Sequence, residues 1–436
     1  MARVASLPDR VEACESEKNE PAISPSIRKR TLIGLMGQVF LSVLGVGIVG
    51  PVLPLYAQSF GVSAAMVGSL ITVFGLARLL SNLPAGRLAD RLGRKPLLVG
   101  GMGIVSVSAL LSGLAPTFAP LLAFRFLQGV GSAMQTTGAM VALSDISTTE
   151  DRGRIMSLYM GSLLLGASLG PSIGGFVGHN WGFRAPFFAY SGLACLGTIW
   201  AFFLAPETLR LRTGSQARGG VGLNAGFGAT LALLGKLLRD GRFVAVSFVS
   251  LVIFMARAGS RATVLPLFAH SIGINTAQIG IVLTIMAAIN LVAVGAAGVL
   301  ADRYGRKAVI VPSAMLSAVA LVVFPMSYNY GTFIAAAALW GLGTAFVGPA
   351  PAAYVADIAP EGQRGTAMGL FKTFGDLGVT LGPLMLGWLS DAMSYAAAFR
   401  TNALLFAVAG VMFAVLARET IQRGARQSVT QRTENT

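Results

Sequence analysis

Read for its apolar and polar positions, the chain divides into twelve apolar stretches, each long enough to cross the hydrocarbon core of a bilayer as a helix. Six occupy residues 31–57, 63–85, 96–117, 118–142, 154–178 and 185–205. Six more occupy 243–269, 276–298, 308–327, 331–355, 364–390 and 397–417, and all are numbered here spans 1 to 12. Helices are expected because lipid offers no water to satisfy open backbone groups. Glycine and proline interrupt several spans, which fixes their ends only to within several residues. Polar segments frame the two sets. Residues 1–30 carry Glu12, Glu15, Glu17 and Glu20 before Arg28, Lys29 and Arg30, and residues 206–242 carry Glu207, Arg210, Arg212, Arg218, Lys236 and Arg242. The predicted fold is an all-α integral membrane protein of two six-helix bundles, residues 31–205 and 243–417, with a linker between them and tails at 1–30 and 418–436.

Composition sharpens this picture. With 54% hydrophobic and 12% charged residues over 436 positions, and a mean hydropathy of +0.70, the chain is too apolar for a soluble protein of its size. Its 54 glycines suit membrane helices, whose close approach depends on small residues. No apolar core precedes span 1, so no cleavable signal is read. Cys14 in the polar tail and Cys195 in an apolar run suggest neither a disulfide framework nor a metal site.

The net charge of +15 is spread unevenly. Arg87 to Lys95, Arg152 and Arg154, Arg303 to Lys307 and Arg364 fall in alternate loops, whereas the others hold little beyond His179, Arg184, His270 and Arg400. Basic loops stay cytoplasmic, which puts both termini and the linker inside. No basic module stands apart from these loops and tails, so no nucleic-acid partner is expected.

A repeat organises the spans. Gly86, Leu88, Ala89, Asp90, Arg91, Gly93, Arg94 and Lys95 recur as Gly298, Leu300, Ala301, Asp302, Arg303, Gly305, Arg306 and Lys307, all displaced by 212 residues. Pro54 maps in the same register onto Pro266, Gly129 and Gly131 onto Gly341 and Gly343, Asp145 onto Asp357, and Gly170 and Pro171 onto Gly382 and Pro383. The whole half is duplicated. An even number of spans per half makes the copies parallel repeats about an axis along the membrane normal, with a site expected between them at mid-membrane.

At these residues the chain resembles the major facilitator superfamily over about residues 31–417. The string Gly86 to Lys95, with its echo after span 8, is similar to the family's cytoplasmic loop motif, which implies a latch between the two halves with Asp90, Arg94, Asp302 and Arg306 at its charged positions. Leu122, Arg125, Gln128, Gly129 and Gly131 resemble the family's span 4 motif with its intramembrane arginine. Gly166, Gly170, Pro171, Gly174 and Gly175 resemble the span 5 motif of its exporters and predict a helix able to bend, or a plain glycine packing seam. Pro51, Leu53, Pro54, Leu55 and Tyr56 resemble the drug and metabolite exporter branch. The resemblance implies a monomeric transporter in a bacterial inner membrane, with a cavity lined by spans 1, 2, 4, 5, 7, 8, 10 and 11.

Charges inside spans are costly in lipid and normally face a cavity or a partner. Arg78, Arg125, Arg257, Arg261, Lys372 and Asp376 are such residues and are taken as cavity candidates, five positive against one negative. The resulting positive cavity points to an anionic or zwitterionic small-molecule substrate gripped by guanidinium groups. Lys372 and Asp376, four apart, also read as a structural ion pair, and Arg78 as a side chain snorkelling to the interface. Gln38, Gln128, Gln135 and Asn290 read equally as substrate contacts or interhelical hydrogen bonders, and Trp340 as packing or cavity wall.

Gly45-Val46-Gly47-Ile48-Val49-Gly50 spells a dinucleotide fingerprint but lies within span 1 without a βαβ unit, so it is read as helix packing. No phosphate-binding loop, catalytic constellation or cofactor motif is present in the sequence, so an ion gradient or the substrate's own gradient must drive transport. The exporter relatives often carry an acidic residue in span 1, and this chain has none there. Asp376, with Arg125, is therefore assigned to proton coupling. The expected function is proton-coupled efflux of small organic molecules by alternating access, with import or exchange of organic anions as the rival.

Overall fold

The computed structural model describes residues 25–148, 151–205, 207, 235–347, 350–360 and 363–419. Cys14, the four tail glutamates and Arg210, Arg212 and Arg218 lie outside the described residues. The first half is built of α1 (Pro25–Val49, resuming as Leu53–Gln58), α2 (Ala64–Leu92), α3 (Arg94–Leu114), α4 (Phe118–Ile146), α5 (Arg152–Trp181) and α6 (Ala185–Leu204). The second is built of α7 (Gly241–Met255, a π-helical Ala256–Val264, then Leu265–Ser271), α8 (Thr276–Tyr304), α9 (Arg306–Val323), α10 (Tyr330–Val347, resuming as Ala350–Ile358), α11 (Arg364–Ala392) and α12 (Tyr395–Leu416). Ten of these helices are long and apolar enough to cross a membrane. The other two, α4 and α11, are diluted by Arg125, Gln128, Gln135 and Asp145 and by Lys372 and Asp376.

Local chemistry sets the helix ends. Ser63 caps α2 by accepting from the Met66 N–H, and Asn275 forms a capping box with Gln278 at the start of α8, at 2.9 and 3.0 Å. The turns into α3 and α9 use Gly93 at φ +98° and Gly305 at φ +105°, where any Cβ would be strained. Those two glycines are part of the duplicated loop, so its sequence repeats because its backbone does.

Within each half the helices pack as a bundle, α1 against α5 and α6, α2 and α3 against α4, and correspondingly α7 against α11 and α12, α8 and α9 against α10. The second bundle holds an aromatic nucleus in which Phe324 stacks on Phe399 at 5.4 Å and meets Phe333 and Trp340 edge-on. The halves meet along two antiparallel seams, α2 with α11 and α5 with α8.

Both seams close only at the end opposite the basic loops. There a Cβ on Gly175 would stand 2.5 Å from the Thr276 carbonyl oxygen, and one on Gly387 would stand 2.5 Å from that of Ala64. Gly68 and Gly280 likewise face the backbone of Pro383 and Pro171 in the opposite half. Along the same four helices, Gly86, Gly153, Gly161, Gly295, Gly298, Gly365 and Gly369 belong to the end carrying the basic loops, and a Cβ there would meet nothing within 4 Å. The molecule is thus a cleft, shut at one end by backbone contact between small residues and open at the other.

Candidate transport site

A cavity of about 350 Å³ begins where α5 and α8 part. The last seam contact is Ser172, whose hydroxyl and N–H meet the Thr284 hydroxyl at 2.7 and 3.1 Å. One and two turns further towards the basic end, Ser168 and Leu164 line the cavity with Arg257 and Arg261 of α7, Asn290 of α8, Trp340 and Thr344 of α10 and Phe371 of α11. The cavity is largely an apolar chamber with a few convergent polar groups.

The two arginines share this cavity because the π-helical turn carries both. Its wider winding leaves backbone groups to be satisfied locally, and the Thr263 hydroxyl donates to the Ala258 carbonyl at 3.0 Å. Arg261 donates to the Leu283 carbonyl at 3.3 Å. Among the described residues Arg257 has no hydrogen-bond or ion-pair partner, and no carboxylate lines the cavity. Two guanidiniums in an apolar chamber leave donors for water or an anionic ligand. Asn290 directs its amide to the Met286 carbonyl at 2.7 Å and to Thr344 at 3.4 Å. Trp340 is buried, lines the cavity and keeps its indole N–H without a partner among the described residues.

The remaining candidates lie elsewhere. Gln38 is fully buried and donates to the Leu98 carbonyl at 2.8 Å, while Gln135 accepts from Ser42 at 3.2 Å, so both bond within the first bundle. Arg125 donates to Gln128, three residues on, and its guanidinium sits 4.8 Å over the Phe74 ring. Neither lines the cavity. Of the six charged candidates, Arg257 and Arg261 line this cavity, while Arg125 is held inside the first bundle and Arg78, Lys372 and Asp376 lie on α2 and α11.

Asp376 and Lys372 do not form the ion pair that their spacing of four allows, as no nitrogen–oxygen approach within 4.0 Å joins them. Lys372 is exposed, and its long stem lets the ammonium reach solvent. Asp376 lies instead on the far side of the α2–α11 seam from Arg78, in the register set by Thr72 with Thr380 and Gly75 with Val379. The seam runs through Thr72, which donates to the Thr380 carbonyl at 2.7 Å, and through Gly75 against Val379. Arg78 and Asp376 occupy the next rung, where the two helices begin to part. Arg78 also lies 5.9 Å from the Phe74 ring, so that one ring touches both Arg78 and Arg125.

The duplicated loops fold within their own halves. Arg94 is 1% exposed and grips Asp145 through Nε at 2.7 Å and Nη2 at 3.3 Å, while Asp90, 3.7 Å away, is largely exposed. Arg306 pairs with Asp302 at 2.6 Å and approaches Asp357 at 3.6 Å. A Cβ on Gly86 or Gly298 would meet nothing. The span 5 glycines pack on two sides, Gly166, Gly170 and Gly174 against α1 and Gly175 against α8, and α5 runs unbroken through Pro171.

Several participants escaped the sequence reading. Glu207 accepts from the N–H groups of Arg94 and Lys95 at 2.9 and 3.1 Å, and Glu419 from those of Arg306 and Lys307 at 2.8 and 3.1 Å. Their signal was available, since the two glutamates stand 212 residues apart like the loops they cap. Asp391, which accepts from the Ala64 and Ala65 N–H groups at 2.8 Å each, has no acidic counterpart in the repeat and carried no such signal.

Comparison with known proteins agrees with this architecture. The family model described as Major Facilitator Superfamily matches residues 35–260 and 246–434. "Multidrug resistance protein 2" of Bacillus subtilis is 27% identical over 368 residues, covering 84% of this chain and 90% of the relative. "Quinolone resistance protein NorA" of Staphylococcus aureus is 25% identical over 362 residues, covering 81% and 88%. Among solved structures, a bacterial homologue of the human lysosomal transporter Spinster, in an inward-facing conformation, superposes with a TM-score of 0.70 at 17% identity over 91% of this chain and 96% of that one. With its duplicated loops, its cleft between two six-helix bundles and its match over both halves, the chain belongs to the Major Facilitator Superfamily and is a membrane transporter akin to the drug-efflux proteins.

Proposed function

We propose that the protein is a proton-coupled exporter of small organic molecules, anionic or zwitterionic, working as a monomer by alternating access. The bias of basic residues to one set of loops supports an orientation with the open end of the cleft and both termini in the cytoplasm, which fits a bacterial inner membrane. In this orientation the structure is the inward-open state. Arg257 and Arg261, without a lining carboxylate, support the choice of an anionic group on the substrate.

What supports proton coupling is the place of Asp376 and Arg78, opposite in register on the two sides of the α2–α11 seam just beyond Thr72–Thr380 and Gly75–Val379. Closing the cytoplasmic end would zip that seam further and bring the two charges together. Ionised Asp376 then favours the outward-open state, and protonated Asp376, which no longer attracts Arg78, favours the inward-open one. A proton taken up outside is thus carried inward and released, and the deprotonated carrier, loaded with substrate inside, returns outward. The sign is that of an antiporter. Arg125 reaches this rung only through the shared Phe74 ring.

The test uses proteoliposomes with an imposed pH gradient. Asp376→Asn is expected to abolish gradient-driven substrate movement while the purified protein keeps its thermal stability. Unaltered transport with an unaltered pH profile would overturn the assignment. The same arginine-lined cavity suits exchange of organic anions, and an uncoupler separates the two, because it collapses proton-driven efflux and leaves anion-for-anion exchange running.

A further inference from the structure

We propose that His179 and His270 form a binding site for a divalent transition metal ion of the zinc type, and that the ion clamps the two halves together. The sequence holds two histidines in all, and they come from opposite halves, one near the end of α5 and the other near the end of α7. The fold brings both to one pocket of about 340 Å³, together with Asn275 and Thr276 at the start of α8. Both rings are exposed. Neither imidazole has a hydrogen-bond or ion-pair partner among the described residues, and Asn275 is already occupied by its capping box with Gln278.

The repeat explains why this pocket is open. His179 stands where the other half has Asp391, and His270 stands where it has Gln58. At the α2–α11 seam, Asp391 fills the equivalent space by accepting from the first N–H groups of α2, and Gln58 ends α1. At the α5–α8 seam those roles fall to two imidazoles that leave the space unfilled. A neutral imidazole is a strong donor to zinc, and water completes a tetrahedral shell when protein supplies only part of it. An ion held by both rings bridges α5 of one half to α7 of the other. It binds only while this end of the cleft is shut, so it shifts the population towards that state and slows turnover.

The proposal stands on this seam alone and is independent of transport direction or coupling. The experiment titrates zinc chloride into the purified wild-type chain and into His179→Ala, His270→Ala and the double variant, and follows transport in proteoliposomes with the metal on both sides. One ion is expected to bind per wild-type chain with reversible inhibition. Each single variant should weaken binding and inhibition about 10–100-fold while leaving metal-free transport unchanged. Equal zinc potency in the double variant overturns the site. Loss in one single variant with full retention in the other overturns the bridge, because the ion would then be held within one half.

Discussion

The two seams descend from one pattern, yet they hold the halves together in different ways. Along α2 and α11 the contact is polar and ends in charge. A carboxylate caps α2 from across the gap, a threonine hydroxyl follows, and the seam stops at Arg78 and Asp376. Along α5 and α8 the contact is nearly bare backbone, Gly175 against Thr276 and Gly280, with one serine–threonine bond, and it stops at Leu164 and Asn290, where the cavity opens. The repeat sets Asn290 against Arg78 and Leu164 against Asp376. Duplication supplied the seam twice, and divergence at one rung gave one copy two opposite charges and the other a wall of the chamber. In this reading proton and substrate are handled on opposite sides of the molecule and communicate through rigid halves.

The division of labour makes sharp demands on mutants. The largest expected effect is at the charged rung. Arg78→Gln should remove the pH dependence of transport as Asp376→Asn does, whereas Asn290→Ala should raise the substrate KM and leave the pH profile in place. Flux measured against pH in proteoliposomes decides this, and a displaced profile in Asn290→Ala would erase the distinction between the seams.

A smaller effect is expected from bulk at the closed end. Gly280→Leu puts a side chain into the backbone of α5, which overpacking makes costly by about 1–3 kcal/mol. That strain is relieved by parting the halves at this end, so a spin-label distance across the α5–α8 seam should lengthen. Gly298→Leu, on the same helix in open space, should leave the distance alone. The smallest effect belongs to Asp391→Asn, which weakens one helix cap and should cost about 1 kcal/mol of preference for the closed end. His179→Asp should move the other seam the opposite way by a similar amount, read with the same labels.

The sequence reading foresaw these features unequally. Twelve spans and their pairing into halves were legible because hydropathy and a constant displacement of 212 are one-dimensional signals. Arg257 and Arg261 were legible as a pair because they belong to one turn of one helix. Lys372 and Asp376 misled for the same reason. Spacing of four puts two side chains on one face but does not make them meet, and no ion pair joins Lys372 to Asp376 among the described residues. Gln38 was left with two readings because polarity within a span marks either a cavity or an interhelical bond, and its packing shows the second. Asp391 and the two histidines were invisible as a set, since their meaning lies in what the opposite half brings to them.

Glu207 and Glu419 carry one more implication. Each lies just beyond the last helix of its half and locks onto the start of that half's third helix, so each bundle is fastened end to middle before the other is reached. A polypeptide severed between Glu207 and Gly241 would lose none of those fastenings, nor any contact of either seam. Two separately synthesised halves should then find each other through the glycine-lined faces they already present, with the covalent link guaranteeing one copy of each.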